Sequence, residues 1–124
     1  MIKNISKITL YVNDQEQAKR FWVDKLEFVV TMESRLGTIK WLEVAPSNVA
    51  STSFVLYSKQ QMQEENPEVS LSHPSIILST PNIDTTYEKM KANKIKVDQL
   101  IKLPYGKMFS FKDQDGNDYL VREN

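Results

Sequence analysis

Residues 5–12, Ile-Ser-Lys-Ile-Thr-Leu-Tyr-Val, alternate apolar Ile8, Leu10 and Val12 with Lys7, Thr9 and Tyr11. A period of two buries one face of a strand and leaves the other open, so a first strand is predicted here. Asn13 and Asp14 then offer side-chain oxygens to a helix start, and Ala18, Phe21, Trp22 and Leu26 follow at spacings of three and four. That spacing predicts an amphipathic helix whose stripe, with Phe21 and Trp22 at its centre, enters the core. Residues 28–32 read as a second strand, 34–37 as a turn, 38–44 as a third strand, 46–48 as a turn and 51–57 as a fourth strand. Residues 58–74 are polar, contain Pro67 and Pro74 and have little periodicity, which predicts a surface connector.

The same order then restarts. Residues 75–80 read as a strand, and Ile83, Tyr87 and Met90 mark a helix. Displacing the chain by 68 residues lays Ile8-Thr9-Leu10 on Ile76-Ile77-Leu78, and displacing it by 69 lays Gly37 on Gly106 and residues 38–44 on 107–113. A last strand, 119–122, follows the turn Asp113-Gln114-Asp115-Gly116-Asn117. The pattern predicts an α+β chain of two βαβββ modules in one domain spanning residues 1–124. Module one covers about 1–58, the connector about 59–72 and module two about 73–124.

Composition narrows the chemistry. The chain has 124 residues, 40% of them hydrophobic, and mean hydropathy is −0.45, enough for a core within one domain. Sixteen basic residues balance sixteen acidic ones, so no global positive field attracts nucleic acid. The absence of cysteine closes off disulfides, thiolate metal sites and thiol catalysis. Asn4, Ser6 and Lys7 interrupt the N-terminal apolar residues, and no stretch approaches the roughly 20 apolar residues that span a bilayer, so a cytoplasmic protein with no membrane partner is expected. No G-x-S-x-G, phosphate loop or paired histidines are present, and no catalytic residue can be named.

The opening Ile-Thr-Leu-Tyr-Val-Asn-Asp, the helix with Ala18, Phe21 and Trp22, the segment Leu-Glu-Phe-Val-Val, and the closing Phe-Lys-Asp-Gln-Asp-Gly-Asn-Asp-Tyr-Leu-Val resemble the vicinal oxygen chelate superfamily of glyoxalases, bleomycin-resistance proteins and extradiol dioxygenases. The resemblance implies paired βαβββ modules whose mixed sheet curls around a cavity, usually in a homodimer. It also implies four metal-ligand positions, and they fall here on Lys7, Val55, Ser75 and Leu120. An ammonium repels a cation, two alkyl groups have no lone pair and one hydroxyl ligates poorly, so no metal and no cofactor is expected. His73, Glu43 and Glu123 are the remaining residues able to rebuild a metal site. His73 reads otherwise as a loop residue, Glu43 as a rim carboxylate paired with a cation, and Glu123 as a solvated tail residue.

If the face away from the helices binds a ligand, the candidate residues are Lys7, Thr9, Tyr11, Met32, Trp41, Glu43, Tyr57, Ser75, Tyr105 and Met108. Phe54 or Val55, with the register open by one residue, and Ser110 belong to the same set. This aromatic and thioether lining suits a flat or amphipathic organic molecule. Trp41 reads equally as pocket wall or dimer core. Lys7 either holds an anionic group in place of the lost cation or extends to solvent. The expected function is metal-free binding of a small organic molecule. The alternatives are a divalent-metal lyase or dioxygenase, and a dimeric module whose cavity is vestigial.

Overall fold

A computed structural model describes residues 1–123, which divide into two compact units, Met1–His73 and one beginning at Pro74. In the first unit β1 (Lys7–Val12) leads to α1 (Gln15–Arg20), β2 (Val29–Leu36), β3 (Ile39–Ala45), β4 (Ser53–Ser58) and α2 (Lys59–Glu65). The sheet order is β1-β4-β3-β2, with β1 parallel to β4 and the other neighbours antiparallel.

The alternation in β1 does what its period predicts: Leu10 and Val12 are buried while Lys7 and Thr9 are exposed. Asp14 caps α1 by accepting from the Gln17 backbone N–H at 3.0 Å. The helix does not run regularly to Leu26. It widens into a π-helical turn at Phe21–Lys25, and the chain leaves it through Glu27 at φ 61°. Trp22, fully buried, meets Phe21, Phe28 and Phe54 at ring distances of 5.5, 4.9 and 5.1 Å. Leu42, Val44 and Leu56 complete this core.

Two expectations fail in this unit. Residues 34–37 are not a turn, because β2 continues to Leu36 and closes onto Ile39 through a two-residue turn with Gly37 at φ +62°. β2 is an edge strand with six consecutive exposed residues, and its polar composition imitates a loop. The connector is not without structure either: Ser58 caps α2 by accepting from Gln61 N–H at 3.2 Å. Its residues are strong helix formers, but they bury nothing and so leave no periodic signal.

The second unit repeats the order with β5 (Ile77–Thr80), α3 (Ile83–Ala92), β6 (Ile101–Leu103), β7 (Gly106–Lys112) and β8 (Asp118–Glu123), in sheet order β5-β8-β7-β6. Ile77 lies opposite Leu120 as Thr9 lies opposite Val55, so the two modules share register as well as topology. Phe109, Phe111, Tyr119 and Val121 are buried with Ile83 and Met90 of α3. The turn before β8 is held by Asp113, whose carboxylate accepts from the Asp115 and Asn117 N–H groups at 2.9 and 3.0 Å and from the Tyr119 hydroxyl at 2.7 Å. Gly116 at φ +82° lets the chain turn there. Glu123 is not an idle tail residue: its carboxylate accepts from Ile83 N–H at 3.0 Å, at the start of α3.

Replacing Trp22 with Ala should cost roughly 3 to 5 kcal/mol of stability, the usual cost of deleting a large buried side chain. Chemical denaturation measures it, and a loss below about 1 kcal/mol would show that the aromatic cluster does not carry the first unit's core.

Candidate functional site

The register of the first sheet decides which side chains share the face turned away from α1, its open face, although Glu43, Val55 and Tyr57 on it are buried. Ile8, Leu10, Phe54, Leu56, Leu42 and Val44 occupy the helix side, so the positions between them, Lys7, Thr9, Tyr11, Val55, Tyr57, Trp41 and Glu43, occupy the other. The ambiguity between Phe54 and Val55 resolves to Val55, since Phe54 packs on Trp22. Met32 reaches this face because the register shifts between Val30 and Met32, setting Met32 opposite Glu43. All eight first-unit candidates, with Val55 in place of Phe54, therefore lie on one face of the sheet.

Its centre is a buried carboxylate. The Glu43 side chain is 6% exposed and its oxygens accept from Lys7 Nζ at 2.5 Å, Trp41 Nε1 at 2.6 Å and Ser53 Oγ at 3.1 Å. Burial alone pushes the carboxyl up, but the hydrogen bonds from Lys7, Trp41 and Ser53 outweigh it and hold Glu43 below its ordinary value of 4.5. Glu43 is paired with a cation, as expected of it, but the carboxylate is buried in the sheet's face and does not stand at a rim. Lys7 does not simply extend to solvent, because one end of its ammonium is tied to Glu43 while half of the side chain stays open.

Trp41 and Tyr57 stand beside this cluster with ring centroids 6.1 Å apart. The Tyr57 hydroxyl donates to Glu65 at the end of α2, and burial together with that carboxylate pushes the phenol up to about 12. Tyr57 thus stays protonated, with its hydroxyl committed to Glu65. β3 and β4 pair directly only at Glu43 with Val55 and Val44 with Phe54. Beyond that point the Gln15 side-chain amide donates to the Lys40 and Leu56 carbonyls at 2.9 and 2.8 Å, bridging the two strands where the rings emerge. Sequence reasoning missed Gln15 and Ser53. Neither has a pattern of its own, and each matters through a partner distant in the chain.

The remaining candidates belong to the second unit. Met108 lies on β7 opposite Arg122, Tyr105 is exposed in the β6–β7 turn with the Arg122 guanidinium 5.9 Å from its ring, and Ser75 is exposed ahead of β5. Ser110 donates to Asp98 at 2.7 Å. His73 ends the first unit, and Glu123 is engaged at α3. A shallow depression of about 310 Å³ lined by Glu33, Ser34, Arg35 and Lys40 lies elsewhere on β2 and β3, with Glu33 and Lys40 ion-paired at 3.2 Å.

A divalent cation does not fit the positions implied by the resemblance. Lys7 already carries a positive charge there and Val55 is a buried alkyl group. Among the described residues no group of three or more His, Asp or Glu side chains could hold a metal ion. No helix among them is long and apolar enough to cross a membrane.

Residues 4–119 match the family model of the glyoxalase/bleomycin resistance protein/dioxygenase superfamily. The chain is 37% identical over 125 residues to the uncharacterized protein YetH of Bacillus subtilis strain 168, covering 99% of this chain and all of that protein. Two solved structures from Streptomyces sp. CB03234 are each 27% identical. TnmS3, described as an antibiotic binding protein, has a TM-score of 0.83 with 98% and 96% of the two chains covered. A glyoxalase/bleomycin resistance protein has a TM-score of 0.77 with 96% and 99% covered.

The lowered Glu43 value means that ionised Glu43 stabilises the fold above its unfolded value near 4.5, and that this is lost as pH falls through the folded value. Wild type should exceed Glu43→Gln in stability by about 1 to 2 kcal/mol at pH 7, discounted for the half-open lysine. The gap should narrow below pH 4.5 in denaturant titrations; a gap constant down to pH 3 would contradict the assignment.

Proposed function

The chain belongs to the glyoxalase/bleomycin resistance protein/dioxygenase superfamily, and we propose that within it this protein binds a small organic molecule without a metal. The observation that carries the reading is the Lys7–Glu43 pair, which sets a cation of the chain's own at a position where the resemblance implies a metal ligand, beside the Trp41 and Tyr57 rings. Similarity to the antibiotic binding protein TnmS3 supports it. The lyase or dioxygenase alternative needs lone-pair donors that Lys7 and Val55 do not supply. A vestigial cavity differs from the proposal in one observable, saturable binding.

Flat apolar compounds should therefore change Trp41 fluorescence saturably, whereas Trp22, buried among three aromatic rings, should respond little. Trp41→Phe should remove most of the signal and weaken binding by about 0.5 to 1.5 kcal/mol. A broad compound set with no saturable response would leave the vestigial module as the better account.

The purified protein should also contain no stoichiometric nickel, zinc, iron or manganese, and we propose that it is a homodimer. Met32 and Leu36 expose apolar surface on β2, an edge strand of the first sheet, which suits a self-complementary interface. Elemental analysis and sedimentation at micromolar concentration test the two statements. One tightly held metal per chain would overturn the first, and a monomer would overturn the second.

A further inference from the structure

We propose that the ligand of the first unit's open face carries an anionic oxygen group beside its flat ring system, and that Lys7 holds that group. The inference rests on the binding reading above and narrows it to organic anions. Both Glu43 oxygens are occupied, by Lys7 and Ser53 on one and by Trp41 on the other. The two ends of the ion pair are unequally buried, the Glu43 side chain being 6% exposed and that of Lys7 49%. Only the positive end therefore reaches the surface of the face.

The neighbouring polar groups leave Lys7 as the charge that a ligand meets. The Ser53 hydroxyl is committed to Glu43, the Tyr57 hydroxyl is committed to Glu65, and Thr9 is neutral. Glu65 is a second carboxylate beside these side chains, and it accepts a hydrogen bond from the Tyr57 hydroxyl. A cationic aromatic compound would be repelled by the ammonium, and a neutral one would gain only stacking and dispersion on Trp41 and Tyr57. An anion gains a charge-assisted hydrogen bond from an ammonium already held in place by Glu43.

The test compares two probes with one ring system, anilinonaphthalenesulfonate and its sulfonate-free parent phenylnaphthylamine, titrated against the intact protein by fluorescence. Wild type should prefer the sulfonate about three- to fivefold at low salt, as expected for a half-open charge contact. The preference should shrink toward unity at 1 M salt, where the screening length is about 3 Å. Lys7→Met should bring the ratio of affinities to about one, and Lys7→Arg should retain the preference. Glu43→Gln should increase it, because the ammonium loses its counter-charge; a merely structural pair would not give that sign. Equal affinities in wild type, parallel weakening of both probes by Lys7→Met, or a smaller preference in Glu43→Gln would overturn the inference. Should Lys7→Met not fold, the salt series and Glu43→Gln decide it. If the parent compound binds and the sulfonate has no advantage, only this inference falls; if neither probe binds saturably, the small-molecule reading falls with it.

Discussion

A carboxylate removed from water must be met by charge and by hydrogen-bond donors, or it will not remain ionised. Glu43 is such a group, and the arrangement of the open face follows from meeting that demand. Lys7 comes from the first strand, Ser53 from the fourth and Trp41 from Glu43's own strand, so three donors converge only when β1, β4 and β3 lie in their observed order. The Trp41 bond fixes the indole by its polar edge and leaves its faces for packing. Removing any donor leaves lone pairs of a buried oxygen unmet, which costs more than the same bond contributes when formed.

The same demand explains why lysine suits position 7. A divalent metal needs several anionic or neutral lone-pair donors around it, whereas a buried carboxylate needs a cation and has one supplied by a flexible four-carbon stem. Lys7 stands at the first residue of β1, opposite Ser53, where the stem reaches Glu43 and the ammonium still touches water. The ion pair therefore presents its positive end outward.

Much of this was legible in the sequence, for a physical reason. Strand faces are written with a period of two, so the division of Lys7, Thr9 and Tyr11 from Ile8, Leu10 and Val12 could be read directly. The core position of Trp22 followed from helical spacing. What could not be read were features without a period. The register shift before Met32 adds a residue that no local pattern marks, although it decides which face Met32 occupies. α2 buries none of its residues, so it has no apolar stripe, and β2 has six exposed residues in a row and was mistaken in part for a turn. Gln15 has a role only because two carbonyls from distant strands come within reach of one amide.

The second unit shows what the scaffold itself requires. Matching the paired residues Glu43 and Val55 with Ser110 and Leu120 sets Met108 at the place of Trp41 and Arg122 at the place of Tyr57. The helix-side residues stay large and apolar in both units, Leu42, Val44 and Phe54 in one, Phe109, Phe111 and Val121 in the other. On the open side the chemistry differs completely: a buried carboxylate with lysine and tryptophan in the first unit, a serine bonded to Asp98 and an arginine near Tyr105 in the second. Packing against a helix constrains volume and polarity at every second residue, and the residues between are constrained only by what they must meet. In the first unit those positions converge on one ion pair and two rings, where a buried carboxylate is met by a cation and two further donors.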